Sequence, residues 1–527
     1  MPTDGVNQNI EQKSLMVDKK TDKTNNQPYL LWHVVHLLAI GGTFGALLGG
    51  MRIATLDHPT VMRFTAILPQ GDMHSYHTFF GALAFFSLMS LLILGKKPSG
   101  GWRKALFTFG ILTIGLTSVS GALLYYFGDR EGLAALHYYL ALGILLYLFI
   151  HSVSYGLLRL FKQIKKAIEL PSIPTKKGYI ATAVPAVLFV LFWLTIGQSD
   201  TQKLYAGTLK GDADITIDAN ADEEEWKKAK EETIYAYGGG NFFDGATTIK
   251  IKALKDRHNI YFFISWKDPT KSQLHLPLVK GKHGWRVKED GFYNYDELQY
   301  YEDKLAVLLS NDCTMGAGKS VHLGHKPLAD HQATWHKRGY HYTTDGTIRD
   351  MWHWKAVRSD PMKLADDDFF GPPATQLNGK RRYKAGYVAD GKDSGGISMN
   401  WKWYTPHGVT PKKLPYEDEK TTIKPTQAIP WYHFTKYTKA KDNYPEGAML
   451  PSVLLKANTL EGDQADVHAK GEWKEGWWHL EMVRALDTHS PNDLPIKPGI
   501  CLWVSAFDHV QVRHTRHAKP LQLEYKE

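Results

Sequence analysis

The sequence predicts an all-α transmembrane helical bundle of about five helices, followed by a mostly β sandwich domain. Three observations carry that expectation. Residues 29 to 198 hold several long apolar runs, whereas residues 200 to 527 are polar, rich in Trp and Tyr, and have no run long enough to span a bilayer. The apolar runs contain histidines, which are rare in bilayer helices unless they have a function or a partner. In the second half the hydrophobic pattern changes to alternation over short runs. A chain of 527 residues also exceeds one ordinary domain.

Residues 1 to 28 are polar and low in complexity, and are expected to form a disordered cytoplasmic tail. They lack the apolar core and cleavage site of a signal peptide. A membrane helix needs roughly 20 mostly apolar residues. Five segments qualify: Tyr29–Ala54, Met73–Leu94, Ala105–Phe127, Leu133–Leu160 and Tyr179–Ile196. Lys and Arg in the short loops set the orientation. The loop after the second segment carries Lys96, Lys97, Arg103 and Lys104. The loop after the fourth carries Arg159, Lys162, Lys165, Lys166, Lys176 and Lys177. Both loops therefore face the cytoplasm. Five spans then place the N-terminus inside and the C-terminal half outside, in the periplasm of a bacterium.

The first helix contains His33 and His36, the second His74 and His77, and the fourth His137 and His151. The last two are separated by a rise of roughly 21 Å and fall within roughly 40° of one face. The topology puts His137 level with His74 and His77 near the outer surface. It puts His151 level with His33 and His36 near the inner one. Neutral imidazole is an axial ligand for haem iron. Four histidines at matched depths favour ligation over ordinary interfacial hydrogen bonding. His36 and His77 lie deeper in the apolar runs than His33 and His74 and are preferred as ligands; the other two could bind propionates or quinone. The run Gly41–Gly50 serves either room for a flat macrocycle or close helix packing.

This pattern resembles the di-haem cytochrome b subunits that anchor bacterial formate dehydrogenases and nickel hydrogenases. The resemblance covers about residues 28 to 200. It implies two b haems across the inner membrane, held by His36, His77, His137 and His151, with a quinone site near one of them.

In the second half, TTIKIKALKD, NIYFFISWKD, DKLAVLLS and KPGICLWVSAFD read as antiparallel strands. Residues 205 to 527 are expected to form the sandwich, with loop insertions around 360–450 where Pro, Gly, Lys and Asp abound. The order of landmarks resembles the haem-binding gamma subunit of ethylbenzene dehydrogenase and its relatives. ITIDANADEEEWKKA from Ile215 looks like the first strand of that sandwich, which some carbohydrate-binding modules share. YEDKLAVLLSNDCTMG looks like the strand entering the ligand loop, DMWHWKAVRS like the Trp-x-Trp-Lys segment, and AKGEWKEGWWHLEMVRAL like the late glycine and Arg strand. The resemblance implies one b haem held by a Met and a Lys. Met315 matches the methionine, and Lys470 and Lys355 compete for the lysine. His322, His325, His331, His336, His341 and His353 lie nearby and leave a His-ligated haem or a metal site open. Trp352, Trp354, Trp473, Trp477 and Trp478 are expected to be mostly core.

Only Cys313 and Cys501 are present, with no CxxCH, so covalent c-type haem attachment is not supported and a four-thiolate cluster is excluded. The two could form a disulfide outside the cytoplasm or be unrelated buried thiols. Much of the net charge of +9 sits in two short loops between apolar segments, and the soluble half has no arginine stripe, so no nucleic-acid partner is expected. Dinucleotide, P-loop and zincin motifs are missing. The expected function is electron transfer between quinone or quinol and a periplasmic cytochrome c or molybdenum oxidoreductase. Arg52, Asp57 and His58 are candidates for proton exchange with quinone. The rival is a tethered sensor or ligand-binding module with a carbohydrate-binding-like sandwich.

Overall fold

The computed structural model describes residues 27–54, 73–95, 100–127, 132–155, 176–196, 201–209 and 215–526, together with 61, 64, 68 and 69. Within the last range it omits 293–295, 314–320, 325–339, 344, 375–384, 390–395, 404–407, 417–423, 425–426, 460 and 518. The chain divides into two compact units, Met1–Ser199 and Asp200–Glu527.

The first unit is helical: α1 (Gln27–Ala54), α2 (Met73–Leu94), α3 (Gly101–Phe127), α4 (Leu133–Tyr155) and α5 (Lys176–Ile196). Four of these are long and apolar enough to cross a membrane. The described apolar part of α5, Ile180–Phe192, is shorter. All five match the expected segments within a few residues, because a continuous apolar run can satisfy its backbone in lipid only as a helix. Large apolar side chains point outwards, among them Phe44, Tyr139, Phe149, Val153 and Val187, as a lipid-facing surface requires. Most of the expected tail, Lys96, Lys97 and the loop from Arg159 to Lys166 lie outside the described residues.

The glycine run of α1 lets that helix approach α2. A Cβ on Gly42 would stand 2.7 Å from the Ala84 backbone nitrogen, and one on Gly45 would strike the Phe80 ring. Close helix packing is thus the role these positions serve. Phe79 and Phe86 of α2 meet Phe189 of α5 edge-on.

The second unit is built on a 12-stranded sheet. Its strands are β1 (Gln202–Thr208), β2 (Glu232–Tyr237), β3 (Ala246–Lys255), β4 (Asn259–Lys267), β5 (Lys304–Ser310) and β6 (Arg349–Lys355). They continue with β7 (Asp366–Phe370), β8 (Tyr387–Ala389), β9 (His468–Lys474), β10 (Trp477–Ala485), β11 (Cys501–Phe507) and β12 (Leu521–Lys526). The order is β8-β7-β6-β5-β11-β12-β1-β3-β4-β10-β9, with β2 beside β3. Every pairing is antiparallel except those of β1, which runs parallel to β12 and β3. The sheet folds over on itself. Trp352 and Trp354 of β6 meet Phe262 and Trp266 of β4 and Trp478 of β10 across the interior. Trp352, Trp354 and Trp478 are fully buried, whereas Trp473 and Trp477 are half-buried.

Alternation assigns the faces. Leu305, Val307 and Leu309 of β5 enter the sandwich core, while Ala306 and Leu308 join Met351, Phe370 and Phe507 on the opposite face. β5 is buried on both faces, which is why it reads as a nearly unbroken apolar run. Arg484 of β10, fully buried, ties the layers by an ion pair to Asp350 of β6 at 2.5 Å.

Two expectations are corrected. The chain around Ile215 forms no strand. The sheet begins at Gln202, and Ile215 and Ile217 instead pack beside Trp226 of the short helix Glu224–Lys228. The region 360–450 is also more than a loop insertion. Residues 366–370 and 387–389 extend the main sheet, and 401–403, 409–411 and 449–450 join 278–281 and 284–287 in a second, five-stranded sheet. That sheet has its own core of Leu278, Trp285, Trp401, Val409 and Leu450. Apart from 366–370, the strands of this region have two or three residues, too short to show a period of two, so composition alone reads them as loop.

Candidate functional site

Helix α4 places one imidazole near each of its ends, and each meets an imidazole from another helix. His36 of α1 faces His151 with ring centroids 6.2 Å apart. His77 of α2 faces His137 with centroids 5.9 Å apart and planes at 89°. Ligation of one metal from two sides needs about 2 Å from each nitrogen plus the ring radius, or roughly 6 Å between centroids. Both pairs have that spacing.

Three of the four rings have a neighbour at Nδ1 that orients them. His77 Nδ1–H donates to the Ala46 carbonyl at 2.7 Å. That bond leaves Nε2 as a bare lone pair. The Ser120 hydroxyl donates to the Thr117 carbonyl at 2.9 Å and so accepts from His137 Nδ1 at 2.9 Å. His151 Nδ1 lies 3.4 Å from the Tyr147 hydroxyl, one helical turn earlier. Two glycines make room for the rings. A Cβ on Gly50 would stand 3.0 Å from His77 Cε1, and one on Gly121 would stand 3.0 Å from His137 Cε1. Of these supports only Tyr147, at i−4 from His151, is visible in sequence spacing. Ser120, Gly121 and the Ala46 carbonyl come from packing between helices.

His33 packs edge-on against Trp32, and Trp32 also contacts His36. The side chain of His74 lies outside the described residues, as do Asp57 and His58. Arg52 is buried.

In the β unit the two candidate lysines are both in ion pairs. Lys355 pairs with Asp366, each almost fully buried. Lys470 Nζ donates to Asp360 Oδ2 at 2.6 Å, and Asp360 Oδ1 accepts from Gly471 N–H and Trp354 Nε1–H. Met315, His325, His331 and His336 lie outside the described residues, as does the side chain of His322. His341 stacks on Phe370 with centroids 5.5 Å apart.

His353 differs from all of these. It sits on β6 between the core residues Trp352 and Trp354, so it points to the opposite face of the sheet, where it stacks on Phe507. Neither ring nitrogen has a hydrogen-bond partner among the described residues. Burial first, and then the charges of Lys355 and Lys304, hold it well below the usual histidine range. It is therefore a neutral imidazole with an unused lone pair, a state that suits a metal ligand. Beside it, burial drives the Lys304 ammonium well below its ordinary range. Lys304 Nζ lies 4.0 Å from the Phe507 ring centre and donates to the Gln511 carbonyl at 2.9 Å.

Cys313 and Cys501 form a disulfide, joining the segment after β5 to the start of β11. Met315 follows Cys313 by two residues in the sequence.

A family model described as ethylbenzene dehydrogenase matches residues 223–519. No curated protein matches the chain. Among solved structures the chain is similar to a carbohydrate binding module family 9 from Caldicellulosiruptor kristjanssonii, in complex with cellotriose. The identity is 9%, the TM-score 0.24, and the match covers 62% of this chain and 95% of that one. The same module in complex with glucose matches at 10% identity and TM-score 0.24, over 62% and 97% of the two chains. A protein from Bacteroides uniformis described as carbohydrate-binding matches at 7% identity and TM-score 0.27, over 62% and 100%.

Proposed function

The chain belongs to the ethylbenzene dehydrogenase family, and from that premise we propose that it is a membrane-anchored multi-haem cytochrome b. It would carry electrons between the quinone pool and a periplasmic redox partner. The observation that carries the reading is the pairing of four imidazoles, His36 with His151 and His77 with His137, at the separation two axial ligands need. Haem iron held there would supply one-electron transfer.

The protein's part is to orient the imidazoles and fix their tautomers. The Ala46 carbonyl and the Ser120 hydroxyl do this for His77 and His137 by accepting from Nδ1. The rise of roughly 21 Å along α4 between His137 and His151 puts the two pairs near opposite membrane surfaces. In the β unit, His353 is the described side chain best suited to hold an outer haem, with Met315 as the partner the family resemblance implies. Lys355 and Lys470 would each have to give up an ion pair to serve. The Cys313–Cys501 disulfide supports an oxidising compartment for this unit. With the basic loops it favours a bacterial inner-membrane protein whose C-terminal half is periplasmic. A soluble cytochrome c or a molybdenum oxidoreductase fits as partner.

A pyridine haemochrome assay on the full chain in detergent tests the reading. Three non-covalent b haems are expected for the native protein. His137→Ala and His151→Ala should each lose one while the other membrane haem survives. A folded protein that keeps every haem in both variants would remove the assignment, and loss of both membrane haems in each would contradict separate sites.

A further inference from the structure

At one end of the sandwich Asp303, Asp508 and His509 come together, with Asp268 joined to Asp508 through the Thr270 hydroxyl. Asp268 follows β4 in one layer; Asp303 precedes β5 and Asp508 follows β11 in the other. All three are buried, Asp268 and Asp303 completely. Ligand atoms of Asp303, Asp508 and the adjoining His509 lie within 4.8 Å of one another. The Thr270 hydroxyl lies 3.2 Å from both Asp268 Oδ1 and Asp508 Oδ1, and its single proton can serve only one of them. Asp303 accepts from Ser272 N–H, Trp478 Nε1–H and His509 N–H. All of those donors are neutral. Among the described residues no lysine or arginine pairs with any of the three. His509 Nδ1 contacts Asp508 Oδ1.

Independently of this cluster, Asp268 has an oxygen to spare. Its Oδ1 takes the Thr270 hydrogen bonds, while Oδ2 is buried without a partner among the described residues. Burial first, and then the charge of Asp508, push Asp268 up to about 7. Burial and the charge of Asp268 raise Asp303 well above the usual carboxylate range. A buried carboxylate oxygen without a donor is destabilising unless something positive sits against it.

We propose that Asp268, Asp303 and Asp508 bind one divalent cation, calcium by its preference for carboxylate oxygens. His509 Nδ1, in contact with Asp508 Oδ1, orients that carboxylate. The ion joins β4 to β5 and β11 and so fastens the two layers at that end. It is a structural site, separate from electron transfer.

The test uses the full chain in detergent after chelator treatment and dialysis. Elemental analysis after calcium is restored should give one calcium per chain, and the melting temperature should rise with calcium. Terbium should luminesce on tryptophan excitation, because Trp478 Nε1 lies 3.0 Å from Asp303 Oδ2, and calcium should quench the signal by displacement. Asp268→Asn should abolish the terbium signal and the calcium-dependent melting shift. A terbium signal unchanged in Asp268→Asn would overturn the site. Should that variant not fold, the native protein decides alone. Absence of bound calcium and of any response to calcium or terbium, with stabilisation by acid only, would assign a shared proton instead.

Discussion

His353 shows how one position can carry information that its neighbours do not. In the run Asp350–Lys355 every side chain is buried or half-buried. Trp352 and Trp354 are core, Asp350 meets Arg484, and Lys355 meets Asp366. His353 alone keeps both nitrogens unused among these. His353→Ala is expected to remove the outer haem and leave the membrane haems, whereas Lys355→Met and Lys470→Met should keep all of them. Haem counts on the three variants decide this; loss in a lysine variant with retention in His353→Ala would restore the lysine assignment. His517 is buried too, but fully partnered. Its Nδ1–H donates to the Lys519 carbonyl and its Nε2 accepts from Val504 N–H at 2.9 Å. Burial lowers it from 6.5 to about 4. The unfolded chain therefore binds the extra proton first as pH falls. The contribution of His517 is complete above pH 6.5 and lost towards pH 4, on the order of 3 kcal/mol. Thermal or urea unfolding across that window should show a steeper fall for the native chain than for His517→Gln. Parallel profiles would remove His517 as a source of acid sensitivity.

Helices and strands were legible to different degrees, for physical reasons. The membrane helices follow from uninterrupted apolar length, and β3, β4, β5 and β11 follow from apolar runs or alternation bounded by turn residues. The chain around Ile215 has the same apolar alternation, yet it packs beside Trp226 without a strand partner. Alternation records which side chains are buried, and only a neighbouring strand turns that into sheet. In α1 the glycines were ambiguous between macrocycle space and close packing, and contact with α2 resolves them. Gly50→Val would press on the His77 ring, which stands 3.0 Å from the added Cβ position. Overpacking of this kind typically costs about 1–3 kcal/mol. The variant should lose the haem of the His77–His137 pair and retain that of the His36–His151 pair. Equal retention of both in the optical spectrum would show that the α1–α2 contact does not seat His77.

At the scale of the whole molecule, the proposed function would divide electron transfer between the membrane and sandwich units. The proposal requires the second unit to lie outside the cytoplasm. A reporter active only in the periplasm, fused after Glu527, should be active. A well-expressed but inactive fusion would reverse the orientation and make the Cys313–Cys501 disulfide hard to maintain.

By itself the sequence determined the division into an apolar helical half and a β half, the helix boundaries within a few residues, and the common face of His137 and His151. These are local quantities, set by run length and by the period of 3.6 or 2 residues. Tertiary structure decided the rest. It showed that His36 and His77 are the rings facing α4, that Ser120 and Ala46 orient their partners, and that Cys313 reaches Cys501 across 188 residues. It also showed that Lys355 and Lys470 are in ion pairs and that His353 is not. Each depends on groups far apart in the chain meeting within a few ångströms, and no local pattern encodes such a meeting.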